Sequence, residues 1–93
     1  SMIPPVQGAA GQVLHLKGTA YDFGHRIAAI QFSLDEGEHW TTRPTEGTSD
    51  YQNVVWTLDF TPPRAGTYRM HVRSVNERGE ASPQPALVEL DIR

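Results

Sequence analysis

The sequence predicts an all-β sandwich of about seven short strands, and three observations support this fold class. Apolar and polar residues alternate with a period of two over short segments, whereas helical periodicity is almost absent. Gly, Pro, Asn and Asp residues separate these segments at short intervals, as turns between strands require. One segment also opens with Gly66-Thr67-Tyr68, a pattern typical of the corner between two sheets.

Each segment has an inward and an outward face by this alternation. In the third segment Ile30, Phe32 and Leu34 are predicted to point inward, while Gln31 and Ser33 point outward. The inward residues of the other long segments are Leu14, Leu16, Gly18, Trp56, Leu58, Phe60, Tyr68, Met70, Val72, Val88, Leu90 and Ile92. The predicted strands cover residues 3–6, 13–20, 27–34, 39–43, 54–60, 67–75 and 86–93, with a loop over 44–53.

The sixth segment sharpens the prediction. We expect the hydroxyl of Tyr68 to bond to backbone within residues 61–66, because a buried hydroxyl needs a partner. Met70 stands two residues after the tyrosine, where immunoglobulin domains carry the second cysteine of their disulfide. An apolar contact of Met70 with Leu14 or Leu16 would replace that bond. The prediction is an immunoglobulin-like (E-set) Greek-key β-sandwich, a single domain over 1–93, from the C-terminal part of a larger protein.

Composition excludes several classes of function. The chain has 93 residues, no cysteine and a formal net charge of −3. A disulfide framework and a thiolate metal site are therefore impossible. The charges are interspersed, without the basic stripe of a nucleic-acid-binding protein. No apolar run approaches the length of about 20 residues that a membrane helix needs. We expect neither nucleic-acid binding nor membrane insertion by this domain.

The stretch from Gly18 to Trp40 carries the most specific motif. It contains Gly18-Thr19-Ala20, then Gly24, and then Ser33-Leu34-Asp35-Glu36-Gly37-Glu38-His39-Trp40, followed later by Trp56 and Gly66-Thr67-Tyr68. This pattern resembles the dimerisation domain at the C-terminus of sulfite-oxidase-type molybdopterin oxidoreductases. Ser74 and Asn76 depart from the Ala and Asp that this family usually has there.

The resemblance implies a non-catalytic assembly domain. Molybdopterin would be held by a preceding catalytic domain of the same chain, and the parent protein, a bacterial oxidoreductase, would form a homodimer. This domain itself would hold no cofactor, and the resemblance favours an extracytoplasmic location. The predicted site residues are structural, with none assigned to catalysis, to a cofactor or to a metal: Gly18, Asp35, Gly37, Trp40, Trp56, Tyr68 and Met70.

Physical reasons support these structural roles. Gly37 is expected to supply the positive φ of a tight turn, and Asp35 to accept that turn's N–H groups. Gly18 leaves room for a large neighbour such as Trp40 or Trp56. Glu36 and Glu38 belong to the same hairpin tip, which favours a solvated turn over a paired-carboxylate or calcium site.

The alternative is an immunoglobulin- or fibronectin-like accessory, adhesion or carbohydrate-binding module of an extracellular protein. Trp40, Trp56, Tyr21 and Tyr51 could form an aromatic platform for sugar, but the alternation places both tryptophans inward and favours core packing. Residues 68–83 also resemble the sixth strand of fibronectin type III modules. Such modules carry a tryptophan on the second strand, and residues 13–20 contain none.

The histidines and the outward charges complete the predictions. His15, His25, His39 and His71 lack the spacing that would gather metal ligands on one face, so surface positions are favoured. Arg69, His71 and Arg73 are expected to lie across the sheet from Glu89 and Asp91, with both sets on one side.

Overall fold

The computed structural model describes residues 5–20, 25–45, 54–83 and 85–93. These residues form seven strands. In chain order the strands are β1 (Val6–Gly8), β2 (Leu14–Ala20), β3 (Ile27–Ser33), β4 (Thr41–Pro44), β5 (Val54–Phe60), β6 (Gly66–Asn76) and β7 (Ala86–Ile92). Within the described ranges there is no helix long and apolar enough to cross a membrane.

Two sheets pack face to face. The larger sheet has the order β1-β7-β6-β3-β4, and the smaller sheet consists of β2 and β5. Only the β1–β7 pair is parallel among the described strands, and the other pairs are antiparallel. This arrangement is an immunoglobulin-like sandwich, so the predicted fold class is confirmed.

The core lies between the sheets and is apolar. Leu90, Ile30, Ile27 and Met70 are almost fully buried. Met70 belongs to the same buried apolar cluster as Leu14 and Leu16. The other buried members of the cluster are Phe32, Val54, Trp56, Val72, Val88 and Ile92.

Trp56 packs between the two sheets beside Gly18. The two residues are directly opposite each other on β5 and β2. A Cβ on Gly18 would lie 2.4 Å from Cζ2 of Trp56, so only glycine leaves space for the indole. Phe32 meets the same indole edge to face from the other sheet, with ring centroids 5.4 Å apart. The expected pairing of Gly18 with a large aromatic neighbour is thus confirmed for Trp56.

The predicted corner is present. The hydroxyl of Tyr68 donates to the carbonyl oxygen of Arg64 at 2.7 Å and accepts from the backbone N–H of the same residue at 3.1 Å. The Tyr68 ring packs edge to face on Phe60, with centroids 5.6 Å apart. These contacts join the start of β6 to the turn that follows β5.

The end of β3 differs from its predicted alternation. Ser33 is 2% exposed and Leu34 is 47% exposed, the reverse of the expectation. The strand ends at Ser33, and the chain then bends into the hairpin. There the Ser33 hydroxyl donates to Asp35 and accepts from the N–H groups of Asp35 and Gly37. The predicted alternation therefore holds only as far as Phe32, two residues before the predicted end of the strand.

The outward charges lie on one side of the larger sheet, but only one predicted pair is in register. Arg69 is directly opposite Glu89, whereas Asp91 is opposite Thr67 and His71 is opposite Leu87. Arg73 lies beyond the residues of β6 that pair with β7, and it pairs with Gln31 of β3 instead.

Several predictions fall on residues that the structure does not describe. Tyr21 and Tyr51, the loop residues from 46 to 53, Gly24 and the first two residues of the predicted first strand lie outside the described ranges. The fourth strand begins at Thr41 and ends at Pro44, shifted from the predicted range of 39–43.

Candidate functional site

The β3–β4 hairpin shapes the most distinctive surface of the molecule. Glu36 and Gly37 both have positive φ, 58° and 89°, and the N–H of Glu38 donates to the Asp35 carbonyl at 3.3 Å. Two consecutive left-handed residues are the signature of the turn that suits the twist of a hairpin. Gly37 thus plays its predicted part.

The carboxylate of Asp35 holds the hairpin, although it accepts the N–H of His39 after the turn, while the Gly37 N–H within the turn donates to Ser33. Oδ1 of Asp35 accepts from the backbone N–H of His39 at 2.9 Å and from the Ser33 hydroxyl at 2.8 Å, and its Oδ2 lies 2.6 Å from Nδ1 of His39. The backbone bond from His39, then the side-chain bonds from His39 and Ser33, lower the pKa of Asp35 from 3.8 to about 2. The carboxylate is therefore held in its charged form by hydrogen bonds.

This chain of hydrogen bonds does not amount to a nucleophilic site. Ser33 donates to the Asp35 carboxylate, whose pKa is lowered to about 2, so its acceptor is too weak a base to activate the hydroxyl. His15 and Asp59 form a second pair at 2.7 Å on the outer face of the smaller sheet, where both side chains are mostly exposed. The Asp35–His39 pair and the His15–Asp59 pair are both surface contacts that link neighbouring segments.

Trp40 lies on the outer face of the larger sheet, and its predicted inward position is wrong. The Cζ atom of Arg73 lies 3.8 Å from the centroid of the indole. Arg73 alternates with the buried residues Val72 and Ser74, so its side chain points away from the core. The register of the hairpin gives the reason: Thr41 lies opposite the buried Phe32, so Trp40, one position away, shares the outer face with Thr42.

Gly37 and Arg73 both contact the indole of Trp40. An ideal Cβ on Gly37 would lie 3.4 Å from Cζ2 of the indole, which places the ring against the hairpin backbone. The guanidinium of Arg73 stacks on the ring in a cation–π contact. The ring is half-buried as a result.

A row of three polar side chains crosses the sheet beside this stack, and we call it the ladder: Arg73 of β6, Gln31 of β3 and Thr42 of β4. Their backbones are in register. Nε of Arg73 donates to Oε1 of Gln31 at 2.7 Å, and Nε2 of Gln31 donates to Oγ1 of Thr42 at 3.2 Å. Arginine has no acceptor, so this contact fixes which way the Gln31 amide points.

An apolar row runs parallel to the ladder on the same face. Val75, Ala29 and Pro44 are in register on β6, β3 and β4. On the other side of the ladder His71 is half-buried. Its Nδ1 is the one buried side-chain nitrogen or oxygen without a hydrogen-bond partner among the described residues. His71 therefore points less freely to solvent than the sequence predicts.

Two concavities lie along the open edges of the sandwich. One of about 630 Å³ is lined by residues that include Gly18, Trp56, Ser74 and Ser82. The other, of about 400 Å³, has an apolar floor of Phe32, Leu58, Phe60 and Met70 and a polar rim of Asp35, His39, Arg43 and Asp59. Within the described residues no three His, Cys, Asp or Glu side chains gather as metal ligands would.

The predicted structural residues separate into two places. Gly18, Trp56 and Met70 lie in the core, and Tyr68 forms the corner. Asp35, Gly37 and Trp40 shape the hairpin next to the ladder. Sequence reasoning missed the ladder itself. The alternation placed Gln31 and Arg73 outward, but their pairing depends on strand register, which the sequence does not reveal.

Comparisons with known proteins support the fold. No protein-family model and no curated protein sequence matches this chain. Among solved structures the chain is similar to the fibronectin(III)-like modules of Clostridium thermocellum CbhA, with 17% sequence identity and a TM-score of 0.66. The match covers 99% of this chain and 92% of that chain. The shared property is the fold.

This similarity extends beyond the sixth strand, which alone resembled fibronectin modules in the sequence. The missing tryptophan of the second strand has a physical counterpart. Trp56 on β5 reaches over Gly18 of β2 and fills the core next to the second strand. The described chain is thus an immunoglobulin-like, fibronectin III-like β-sandwich in architecture.

Proposed function

We propose that this chain is a non-catalytic accessory module of a larger extracytoplasmic protein, and that it docks on another protein surface through the outer face around Trp40 and the ladder. The observation that carries the proposal is the Trp40–Arg73 stack at the surface of a rigid sheet. Trp and Arg are the residue types most enriched among the residues that dominate binding energy in protein interfaces.

The make-up of this face supports a protein partner. The ladder offers hydrogen-bonding groups, and the adjacent row of Val75, Ala29 and Pro44 offers apolar contact. A mixture of polar and apolar groups on a flat surface is usual for protein interfaces. Three strands of a packed sheet hold these groups, so binding orders few additional side chains.

A sugar ligand is less well supported by the same residues. Carbohydrate stacking needs an open aromatic face, but Arg73 and Gly37 already contact the Trp40 indole. Trp56 is 9% exposed and belongs to the core. Tyr21 and Tyr51, the other members of the predicted platform, lie outside the described residues.

Hydroxyl-radical footprinting tests the proposal by comparing this chain alone with the complete parent polypeptide. Trp40 and Leu87 report on the outer face of the larger sheet, while Val13 and Val55, which are 48% and 62% exposed, report on the smaller sheet. We expect severalfold slower oxidation of the first pair in the parent and unchanged oxidation of the second pair. Equal rates at Trp40 in both samples, or protection of Val55 instead, would contradict the proposed docking face.

A second candidate is the dimerisation domain of a molybdopterin-dependent oxidoreductase resembling sulfite oxidase. The hairpin from Ser33 to Trp40 favours it, because Asp35 accepts from the backbone of His39 and Gly37 packs on Trp40 at the spacing of that family's motif. The reading frame upstream of this domain decides between the two. A molybdopterin-binding domain with a metal-ligating cysteine would establish the second candidate, and any other domain would exclude it.

A further inference from the structure

We infer that the ladder is a carboxylate-binding site, with Arg73 as its anchor for an aspartate or glutamate side chain of the partner protein. This inference rests on the proposed docking face and names the chemistry that the face recognises. It depends on three properties of the ladder: which hydrogen-bonding groups remain unused, how firmly Arg73 is held, and which charges surround it.

The hydrogen-bond acceptors of the ladder are used within the ladder, whereas several of its hydrogen-bond donors remain without a partner in it. Oε1 of Gln31 accepts from Arg73, and Oγ1 of Thr42 accepts from Gln31. The groups that remain are the Nη N–H groups of Arg73, the second N–H of the Gln31 amide and the Thr42 hydroxyl proton. A row of donors matches a ligand that only accepts, and an ionised carboxylate is the acceptor-only group of protein side chains.

The guanidinium of Arg73 is free to bind and already oriented. No carboxylate lies within ion-pair distance of it among the described residues. Its Nη atoms have no partner there, yet they are not among the buried unpartnered atoms, so solvent reaches them. The stack on Trp40 and the Nε bond to Gln31 fix the guanidinium plane. A guanidinium fixed in this way can donate two parallel hydrogen bonds to the two oxygens of a carboxylate, and it loses little side-chain entropy on binding.

The surrounding charges favour one carboxylate over a polyanion. The chain has a net charge of −3, and Glu89 and Asp91 lie on the same face as Arg73. Arg69, which lies on the same face of β6 outside the ladder, is directly opposite Glu89. A nucleic acid or a sulfated polymer would bring many charges near these carboxylates and be repelled. A single acidic side chain, flanked by apolar groups that contact Val75, Ala29 and Pro44, fits both rows.

An NMR titration of the ¹⁵N-labelled chain tests the inference. The probe is N-acetyl-glutamic acid amide, and the control ligand is N-acetyl-glutamine amide at matched ionic strength. We expect saturable shifts of the Arg73 Nε–Hε signal and of backbone amides near Gln31 and Thr42 with the glutamate probe alone. Equal shifts with the glutamine compound, or with inorganic phosphate at the same concentration, would overturn the carboxylate assignment.

Matched variants locate the site. Arg73→Lys keeps the charge but loses the fork, and it should weaken probe binding roughly tenfold or more. Arg69→Lys, on the same strand and face, should bind as the wild type does. Gln31→Leu frees the Arg73 side chain and should weaken binding by a smaller factor, since Gln31 acts by positioning. Retained binding in Arg73→Lys, or equal loss in Arg69→Lys, would refute the site.

The same variants separate this inference from the proposed function. Arg73→Lys in the complete parent polypeptide should lose much of the footprinting protection at Trp40. If protection persists while the isolated chain shows no carboxylate binding, the docking face stands and the carboxylate site is wrong. If the chain binds the probe but the parent shows no protection at Trp40, the docking face is wrong.

Discussion

Asp35 ties the hairpin together at the scale of one residue, and its hydrogen bonds make the hairpin sensitive to acid. Its pKa is lowered to about 2, chiefly by the backbone N–H of His39. A carboxyl whose pKa is lower in the folded state stabilises the fold above its unfolded pKa of about 3.9. That contribution is lost as the pH falls through about 2. Between pH 5 and pH 2 we therefore expect stability to decrease in the wild type.

Asp35→Asn removes this titration, so the variant should be less stable at pH 5 and lose less on acidification. Urea unfolding at a series of pH values measures the difference. Glu38→Gln is the matched control, because it removes another carboxylate from the same hairpin. The Glu38 side chain makes no hydrogen bond among the described residues. An unchanged pH dependence in Asp35→Asn would show that the carboxylate does not hold the turn.

The hydroxyl of Tyr68 offers a second residue-scale prediction. Tyr68→Phe deletes the two bonds to the Arg64 backbone but keeps the ring against Phe60. We expect the free energy of unfolding to fall by about 1 kcal/mol, the usual cost of losing such a bond. Chemical denaturation measures it. Tyr68→Leu, which also loses the ring contact, should cost more, and equal losses in the two variants would assign the corner's stability to the ring alone.

Sequence reasoning succeeds for residues whose role is local. The positive φ of Gly37, the acceptor role of Asp35 and the Tyr68 corner each depend on neighbours within a few positions, and all three are present. Trp40 shows the limit. Its position depends on how the chain leaves the turn, so the strand alternation on the other side of the hairpin gave the wrong face.

The strands were predictable as elements, but their partners were not. The alternation in β2, β5 and β7 gave the correct buried faces, because one face of each strand must be apolar to pack on the other sheet. The ladder requires three strands in a particular register. A shift of one residue in β3 would turn Gln31 away from Arg73. Nothing in a single strand's sequence specifies that register.

The pair β2–β5 gives a prediction at this scale. In Gly18→Ala the new methyl would meet the Trp56 ring, a stiff group held by Phe32, so the strands must separate or the indole must turn. We expect a loss of about 1–3 kcal/mol, as for an overpacked core. Gly8→Ala is the control. Its methyl would meet the end of the flexible Leu14 side chain at 2.7 Å, so denaturation should show a smaller loss.

At the scale of the whole molecule, the sandwich could be predicted and its function could not. Burial of alternating residues specifies a two-layer core, and many unrelated functions share that solution. The ladder adds little to the fold, since its members lie outside the core cluster. A sequence pattern dominated by core packing therefore contains little information about the surface on which function depends.

Self-association is the last prediction, and it depends on the area of the faces. A stable interface buries about 800 Å² per partner, roughly an eighth of the 6249 Å² that this chain exposes. The outer face of the larger sheet carries the charged side chains of Arg69, Arg73, Glu89 and Asp91, which must lose water on contact. We expect a monomer, or a monomer in exchange with a weak dimer. Sedimentation velocity over a concentration series measures this. A tight dimer would contradict the prediction and favour the molybdopterin oxidoreductase candidate. A strict monomer at high concentration would favour the accessory module, whose partner is a different protein surface.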